Sequence, residues 1–436
     1  MNSIKKKLYI ETLGCQMNKS DSERITGIMS HFGYETSDEN DADFLIVNTC
    51  SIRRLSEEKA YSKLGNWGKR KREGEKIVIG VCGCVAQQES ETLLKKFPYI
   101  DLIFGTHNIY ELPELLKAHE RVCAVRENVT DEKDFKIIRN KNINAWLPIM
   151  EGCNNFCTYC VVPYTRGRER SRSVETIINE AKQIIKEGFK EITLLGQNVD
   201  SFGKDLENKP TFAYLLSELD KLEGNFRIRF TTSYPVDITD EVIETVKNGS
   251  KICECFHIPM QSGNDRILKM MNRRYNVQKY KEIVQKIQKE VSNVTVTSDF
   301  IAGFPSETEE EFKDTIRAIK DLKLDYSNTA AYSPRPNTPA AKMTDKFIPD
   351  DVKKRRLFEL NETIKEASFN SNKKYEGKIS EVLVEKEKLE NGIRTLEGRL
   401  RNNKVVHFLS SIHKTGDFVN VKLNKASTWC LFGEEI

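Results

Sequence analysis

Short apolar runs alternate along the chain with longer polar stretches that carry apolar residues at helical spacing, and the alternation changes character twice. Over residues 1–125, Lys7-Leu8-Tyr9-Ile10-Glu11-Thr12, Asp43-Phe44-Leu45-Ile46-Val47-Asn48 and Lys76-Ile77-Val78-Ile79-Gly80-Val81 read as strands. Helix-like stretches such as Ser20 to His31 and Glu57 to Arg72 separate them. This βαβαβ order predicts an α/β domain with a doubly wound parallel sheet. Over residues 142–370, strand-like runs at 145–151, 191–196, 226–232, 252–259, 294–302 and 326–333 alternate with helical ones such as Val174 to Gly188 and Glu307 to Leu322. Six βα units in a row predict an open (β/α)6 partial barrel, closed by a long helix over Phe347 to Lys374. Over residues 371–436, short β-rich runs are punctuated by Gly377, Gly392, Gly398 and Gly416, the pattern of a small antiparallel β-barrel. Residues 126–141 read as a charged linker.

Composition narrows the class. A chain of 436 residues, 38% hydrophobic and 31% charged, suits a soluble globular protein with a sizeable core. No run approaches the roughly 18 apolar residues of a membrane span, and the basic start Met1 to Lys7 is followed by no apolar segment. A cytoplasmic protein with no membrane partner is expected. The net charge of +4 is too mild to establish a nucleic-acid partner, so clustering of basic residues decides that question. Eleven cysteines, an odd count, argue against a disulfide framework and for metal ligation or catalysis by some of them.

Cys153, Cys157 and Cys160 form a C-x3-C-x2-C loop just after the first strand of the central block. Three thiolates within eight residues suit a soft metal centre. Three rather than four point to a [4Fe–4S] cluster with one iron open to a ligand, at the strand end where barrel enzymes place their chemistry. Two other readings are a thioredoxin-like redox pair at Cys157 and Cys160, which lacks the helix-start context, and half a zinc site, which lacks a second pair nearby. Cys15, Cys50 and Cys84 follow the first three strands, one βα unit apart. In a parallel sheet such positions share one edge, where ligands bind. They form either a second three-thiolate site or three separate buried cysteines. Cys82 competes with Cys84 as ligand but lies within the strand. Cys253 and Cys255, two apart in a strand, read as packing residues, and Cys123 and Cys430 have no partner at ligand spacing.

These residues carry a resemblance that spans nearly the whole chain. The three-cysteine loop, with an aromatic before its last cysteine, resembles the radical S-adenosylmethionine (SAM) superfamily. Glu11-Thr-Leu-Gly-Cys15-Gln-Met-Asn18, Asn48-Thr-Cys50-Ser51 and Gly83-Cys84-Val85-Ala86 are similar to the N-terminal signatures of its methylthiotransferases. Glu151-Gly-Cys153 through Pro163-Tyr-Thr-Arg166-Gly-Arg168 is similar to their cluster loop, and Gly398-Arg399 through Phe408 with Trp429 resembles the RNA-binding TRAM barrel. Gly14 to Asn18, Gly105-Thr-His-Asn108, His257 to Gly263 and Met271-Asn-Arg-Arg-Tyr275 resemble the subfamily that modifies isopentenylated adenosine in tRNA. Other subfamilies act on threonylcarbamoyl adenosine or on a ribosomal-protein aspartate. Ser51-Ile-Arg-Arg54 departs from the pattern, which has an acidic residue after Ile-Arg.

The resemblance implies a transferase that inserts sulfur at C2 of N6-isopentenyladenosine at position 37 and methylates it. It implies two [4Fe–4S] clusters, one on Cys153, Cys157 and Cys160 and an auxiliary one on Cys15, Cys50 and Cys84. Two S-adenosylmethionine molecules are used per turnover, one giving a 5′-deoxyadenosyl radical and one the methyl group. The implied partners are the tRNA, an electron donor such as a flavodoxin or ferredoxin, and a sulfur donor. A zinc-containing RNA-binding protein is the non-enzymatic alternative. Tyr159, Gln197, Asn198, Gln261 and Ser262 are candidate SAM contacts, with Ser298-Asp299 and Gly303-Phe-Pro305 also expected to face the reaction chamber. For RNA the candidates are Arg166, Arg168, Arg273, Arg274, Arg399 and Arg401; Arg170, Arg172, Arg394 and Lys404 lie among them, while Lys69 to Arg72 reads as a solvated face.

Overall fold

The computed structural model describes residues 6–51, 54–118, 120–126, 135–140, 143–390 and 392–436. Most of the expected linker, Met1 to Lys5 of the basic start, and Ile52-Arg53 of the departing motif lie outside the described residues. The chain divides into two compact units: Met1–Asn142 with Glu151–Asn154 and Val161–Glu169, and Ile143–Met150 with Asn155–Cys160 and Arg170–Ile436.

In the first unit, β1 (Lys6–Leu13), β2 (Tyr34–Thr36), β3 (Phe44–Thr49), β4 (Val78–Gly83), β5 (Leu102–Phe104) and β6 (Val122–Ala124) form one sheet in the order β2-β1-β3-β4-β5-β6, every pair parallel. The central strand β3 is buried along its whole length, which is why its sequence is a run of apolar residues rather than an alternation. Leu45, Val47 and Val81 pack with Leu64 and Trp67, and Leu8, Phe44 and Ile46 with Ile25, Ile28 and Met29. Helices Arg54–Arg72 and Gln16–His31 supply those two sets.

The second unit holds β7 (Asn144–Pro148), the two-residue β9 (Arg170–Ser171), β10 (Glu191–Leu195), β11 (Arg227–Phe230), β12 (Cys255–His257), β13 (Thr295–Ala302) and β14 (Tyr326–Ala331), with the two-residue β8 (Met150–Glu151) at the unit boundary. Six of these make two parallel sheets, β11-β10-β7 and β12-β13-β14, joined by one parallel bridge between Ile228 and Ile252. Helix Asp350–Lys373 then leads into β15 (Ile379–Glu390), β16 (Ile393–Leu400), β17 (Val405–Leu409), β18 (Phe418–Ala426) and β19 (Leu431–Glu435), a closed barrel in the order β15-β16-β17-β19-β18. The barrel is not purely antiparallel: β17 and β19 run parallel. Directions cannot alternate all the way around a closed ring of five strands, so one parallel pair is forced.

This barrel shares a unit with the sheets because buried cations tie them. Arg229 of β11 pairs with Glu191 at 2.6 Å and donates to the carbonyls of Arg401 (2.6 Å) and Leu400 (2.9 Å). Arg227 donates to Arg399 O at 2.7 Å and pairs with Glu381 at 2.8 Å. Arg401, expected to reach RNA, instead grips Glu254 at 2.8 Å and the carbonyls of Ser250 and Ile252. Lys404 is buried on Ser371, Asn372 and Asp325. Arg399 pairs with Glu385 and Asn403 and keeps about a third of its side chain exposed (35%), and Arg394 is spent on Glu387 and two carbonyls. Among the described residues no helix is long and apolar enough to cross a membrane.

Candidate active site

In the first unit, Cys50 directly follows β3, Cys84 directly follows β4, and Cys15 lies two residues beyond β1. Because β1, β3 and β4 are neighbours and parallel, the three cysteines share one sheet edge. Cys15 and Cys84 also open the helices Gln16–His31 and Cys84–Lys96, where unpaired amides favour an anionic sulfur. The glycine before each is dictated by crowding. A Cβ on Gly14 would stand 2.3 Å from Asn18 Oδ1, and one on Gly83 2.3 Å from Thr49 O, at a φ of +89°. Asn18 and Asn48, both fully buried, lock the edge together. Asn18 Nδ2 donates to Asn48 Oδ1 (2.9 Å) and Thr49 O (3.0 Å), while Asn48 Nδ2 returns to Asn18 O (2.8 Å). The Cys15 amide donates to Asn18 Oδ1 at 3.2 Å. A hydrogen bond with Cys50 pulls the Cys15 thiol down to about 5, burial opposes, and the charge of Arg166 adds to the fall. Cys84 is held up by burial against the pull of Arg166. Cys82 belongs to the apolar cluster with Leu8, Phe44 and Phe104, and burial drives its thiol well up; the edge position is that of Cys84.

Arg166, expected to contact RNA, is 3% exposed and bonds Asp21 at 2.5 Å, with Glu151 at 3.9 Å. Its Nη1 has no hydrogen-bond partner among the described residues, and Cys84 is a near electrostatic neighbour. Arg168, two residues on, is exposed. Within the same unit the Cys153 amide donates to Gly167 O at 3.2 Å.

In the second unit the segment Met270–Arg273 clamps Asn155–Cys157. Asn272, at a φ of +57°, donates through Nδ2 to Asn155 O (3.2 Å) and Phe156 O (3.0 Å). Thr158 donates through N to Met271 O (3.1 Å) and through Oγ1 to Met270 O (2.9 Å). Arg273, a candidate RNA contact, is half-buried and engaged within the protein. Its Nη1 donates to Cys157 Sγ at 3.5 Å, Nη2 to Pro259 O and Nε to Tyr275 OH, both at 2.7 Å. Its guanidinium lies 4.5 Å from the Tyr234 ring centre and 4.9 Å from that of Tyr275. Arg274 is exposed. Arg172 turns inward to Glu180 and Pro148 O.

The candidate SAM contacts differ in burial and in their partners. Asn198 is buried and its amide is committed, Nδ2 to Asp237 (2.7 Å) and Oδ1 to the Tyr234 amide (3.2 Å), so its role is to brace. Gln197 is half-buried beside it. Gln261, at a φ of +72°, continues the sheet by a bridge to Phe300. Ser262 is fully buried and accepts from the Asn264 amide. Tyr159 packs on Ile267, Met271, Phe304, Tyr332 and Ala340, which also makes Phe304 a core residue. Ser298 and Asp299 cannot share a face, because adjacent strand residues point opposite ways. Ser298 bonds Tyr280 of helix Val277–Glu290, whereas Asp299 bonds His257 at 3.2 Å and Asn328 at 2.9 Å. Asp200 is a feature the sequence did not signal. It is 6% exposed, neither carboxylate oxygen has a hydrogen-bond partner among the described residues, and burial pushes it up to about 7.

None of the eleven cysteines is in a disulfide, so the thiol donors a cluster needs are available. Among the described residues no group of three or more His, Cys, Asp or Glu converges as a single metal ion would require; a cubane cluster spreads its thiolates over separate irons.

Residues 7–105 match the model described as uncharacterized protein family UPF0004, residues 147–319 the radical SAM superfamily and residues 373–436 the TRAM domain. Among solved structures, the radical S-adenosylmethionine methyltransferase TsrM from Kitasatospora setae is similar at a TM-score of 0.58 and 11% identity, over 78% of this chain and 77% of that one. The cobalamin-dependent enzyme OxsB is similar at 0.55 and 12%, over 83% and 56%. These likenesses show the fold alone. Curated relatives named tRNA-2-methylthio-N(6)-dimethylallyladenosine synthase are 46% identical in Clostridium botulinum (strain Langeland), over 98% of this chain and 96% of theirs. The relative in Carboxydothermus hydrogenoformans is also 46% identical, over 98% and 99%. The chain therefore belongs to the tRNA-2-methylthio-N(6)-dimethylallyladenosine synthase family, a group of radical SAM methylthiotransferases.

Proposed function

We propose that this enzyme inserts sulfur at C2 of N6-isopentenyladenosine 37 in tRNA and methylates it, using two [4Fe–4S] clusters. The observation that carries the two-cluster reading is the alignment of Cys15, Cys50 and Cys84 at the ends of three adjacent parallel strands, in addition to the separate C-x3-C-x2-C loop. When bound, the loop cluster with S-adenosylmethionine supplies the carbon radical and the strand-edge cluster the sulfur. Cys153, Cys157 and Cys160 hold the first, and Asn272 fixes the backbone that carries Cys157. Cys15, Cys50 and Cys84 hold the second, with Asn18 and Asn48 setting their edge and Arg166 supplying a buried positive charge. The two parallel sheets of the second unit form one open (β/α)6 barrel, and the sheet of the first is doubly wound. Of the SAM candidates, Gln197 and Gln261 are offered as contacts, with Tyr159, Asn198 and Ser262 bracing them. Arg168, Arg274 and Arg399 contact the tRNA backbone. The enzyme works in the cytoplasm with a flavodoxin or ferredoxin as electron source and a separate sulfur donor.

Mass spectrometry of nucleosides from a deletion strain tests the substrate. The isopentenyl nucleoside is expected to accumulate without its methylthio group and to recover on complementation. Full methylthiolation in the deletion strain would refute the assignment, and anaerobically purified protein with zinc and no iron would refute the chemistry.

A further inference from the structure

Arg273 is a half-buried cation with no carboxylate partner among the described residues; its charged or polarisable neighbours include Tyr159, Tyr234, Tyr275 and Cys157. Taking a charge partly out of water without a counter-ion is unfavourable, so its placement needs a reason. The guanidinium is also immobilised. Nε and Nη2 are spent on Tyr275 OH and Pro259 O, and two tyrosine rings flank the plane. The remaining arm, Nη1, is aimed at Cys157 Sγ. The aromatic rings stabilise a cation in place but do not neutralise it. A cubane on three thiolates would: it carries one negative charge when oxidised and two when reduced.

We propose that Arg273 is the resident counter-cation of the cluster on Cys153, Cys157 and Cys160 and raises its reduction potential; this rests on the assignment of those cysteines as ligands. The step affected is transfer of one electron from a reduced flavodoxin or ferredoxin to the oxidised cluster, with no proton moved. The cation and its N–H···S bond favour the reduced state more, since that state carries the larger negative charge. Arg273 is thus a positioning residue for electron entry.

The test is a potentiometric titration followed by electron paramagnetic resonance, on full-length protein reconstituted with iron and sulfide. The parent is C15A/C50A/C84A, which leaves only the loop cluster to report. In this parent, R273Q is expected to keep its iron and to lower the reduced-to-oxidised ratio at fixed potential at least tenfold, a 59 mV fall for a one-electron couple. R273K keeps the charge but not the planar fork and is expected near threefold. An R273Q midpoint equal to the parent's overturns the proposal. Should R273Q retain no iron, R273K decides alone, and a midpoint equal to the parent's again overturns it. A parent that binds no iron, or one that keeps its cluster after C153A/C157A/C160A, refutes the ligand assignment instead.

Discussion

Replacing Arg229 by methionine isolates what holds the C-terminal barrel to the sheets. The arginine is 8% exposed and its partner Glu191 2%. Methionine fills most of the volume but strands the Glu191 carboxylate and removes both donors to the carbonyls of Leu400 and Arg401. Breaking one side of a buried ion pair costs about 3–5 kcal/mol. Taking about 3 as the floor, the barrel's open population should rise by about a hundredfold, at 1.4 kcal/mol per decade. Limited proteolysis of the native enzyme reads this population directly when reclosing outpaces cleavage, with cuts expected near Tyr375 to Lys378, where the closing helix meets β15. The double variant E191M/R229M removes the stranded charge and should return most of the loss. A less than tenfold change in R229M, or a double variant as labile as the single, would refute the reasoning that the ion pair rather than general packing joins the two parts.

Three further outcomes follow from other sites. Asp200 is pushed up to about 7 from 3.8, so the native state holds a proton that the unfolded chain has released, and stability falls as pH rises between those values. D200N should therefore melt higher than wild type at pH 8, by at most about 4 kcal/mol, with the advantage shrinking steadily towards pH 5; a pH-independent difference contradicts this. In N272G the left-handed backbone is kept but the amide that holds Asn155 and Phe156 is lost, so iron should leave the loop cluster about 10–100-fold faster into a chelator; an unchanged rate removes Asn272 from the cluster's support. R168Q and R274Q should each weaken tRNA binding across sequences and reduce the slope of log affinity against log salt by about one; variants with the wild-type slope do not touch phosphate.

The parts of the fold legible in the sequence were those written locally. The buried run of β3, the strand before each of Cys15, Cys50 and Cys84, and the long helix before the barrel all follow from residues next to one another. The surroundings of the arginines were not legible, because charge is visible in a sequence and burial is not. Arg166 and Arg273 sit in basic stretches that look like a nucleic-acid face. The first meets Asp21, 145 positions away, and the second meets Cys157, 116 positions away. Asp200 left no trace either, since nothing local distinguishes a carboxylate that folding encloses from one that stays wet. The parallel β17–β19 pair was hidden for a different reason: strand direction in a closed ring depends on how many strands close it, which no single run encodes.

The two cysteine sets have different histories while the chain folds. Cys153, Cys157 and Cys160 lie within eight residues, so even an extended chain can bring them to one cluster at small loop-closure cost. Cys15, Cys50 and Cys84 become neighbours only when β1, β3 and β4 have paired, with Asn18 and Asn48 sealing the edge. A cluster at that edge would be acquired after folding and would contribute its binding free energy to the native sheet. Iron starvation should then yield a hierarchy of species, with the loop loaded first and the sulfur-donating edge last, so that a half-loaded enzyme has the means to make a radical before it has sulfur to give.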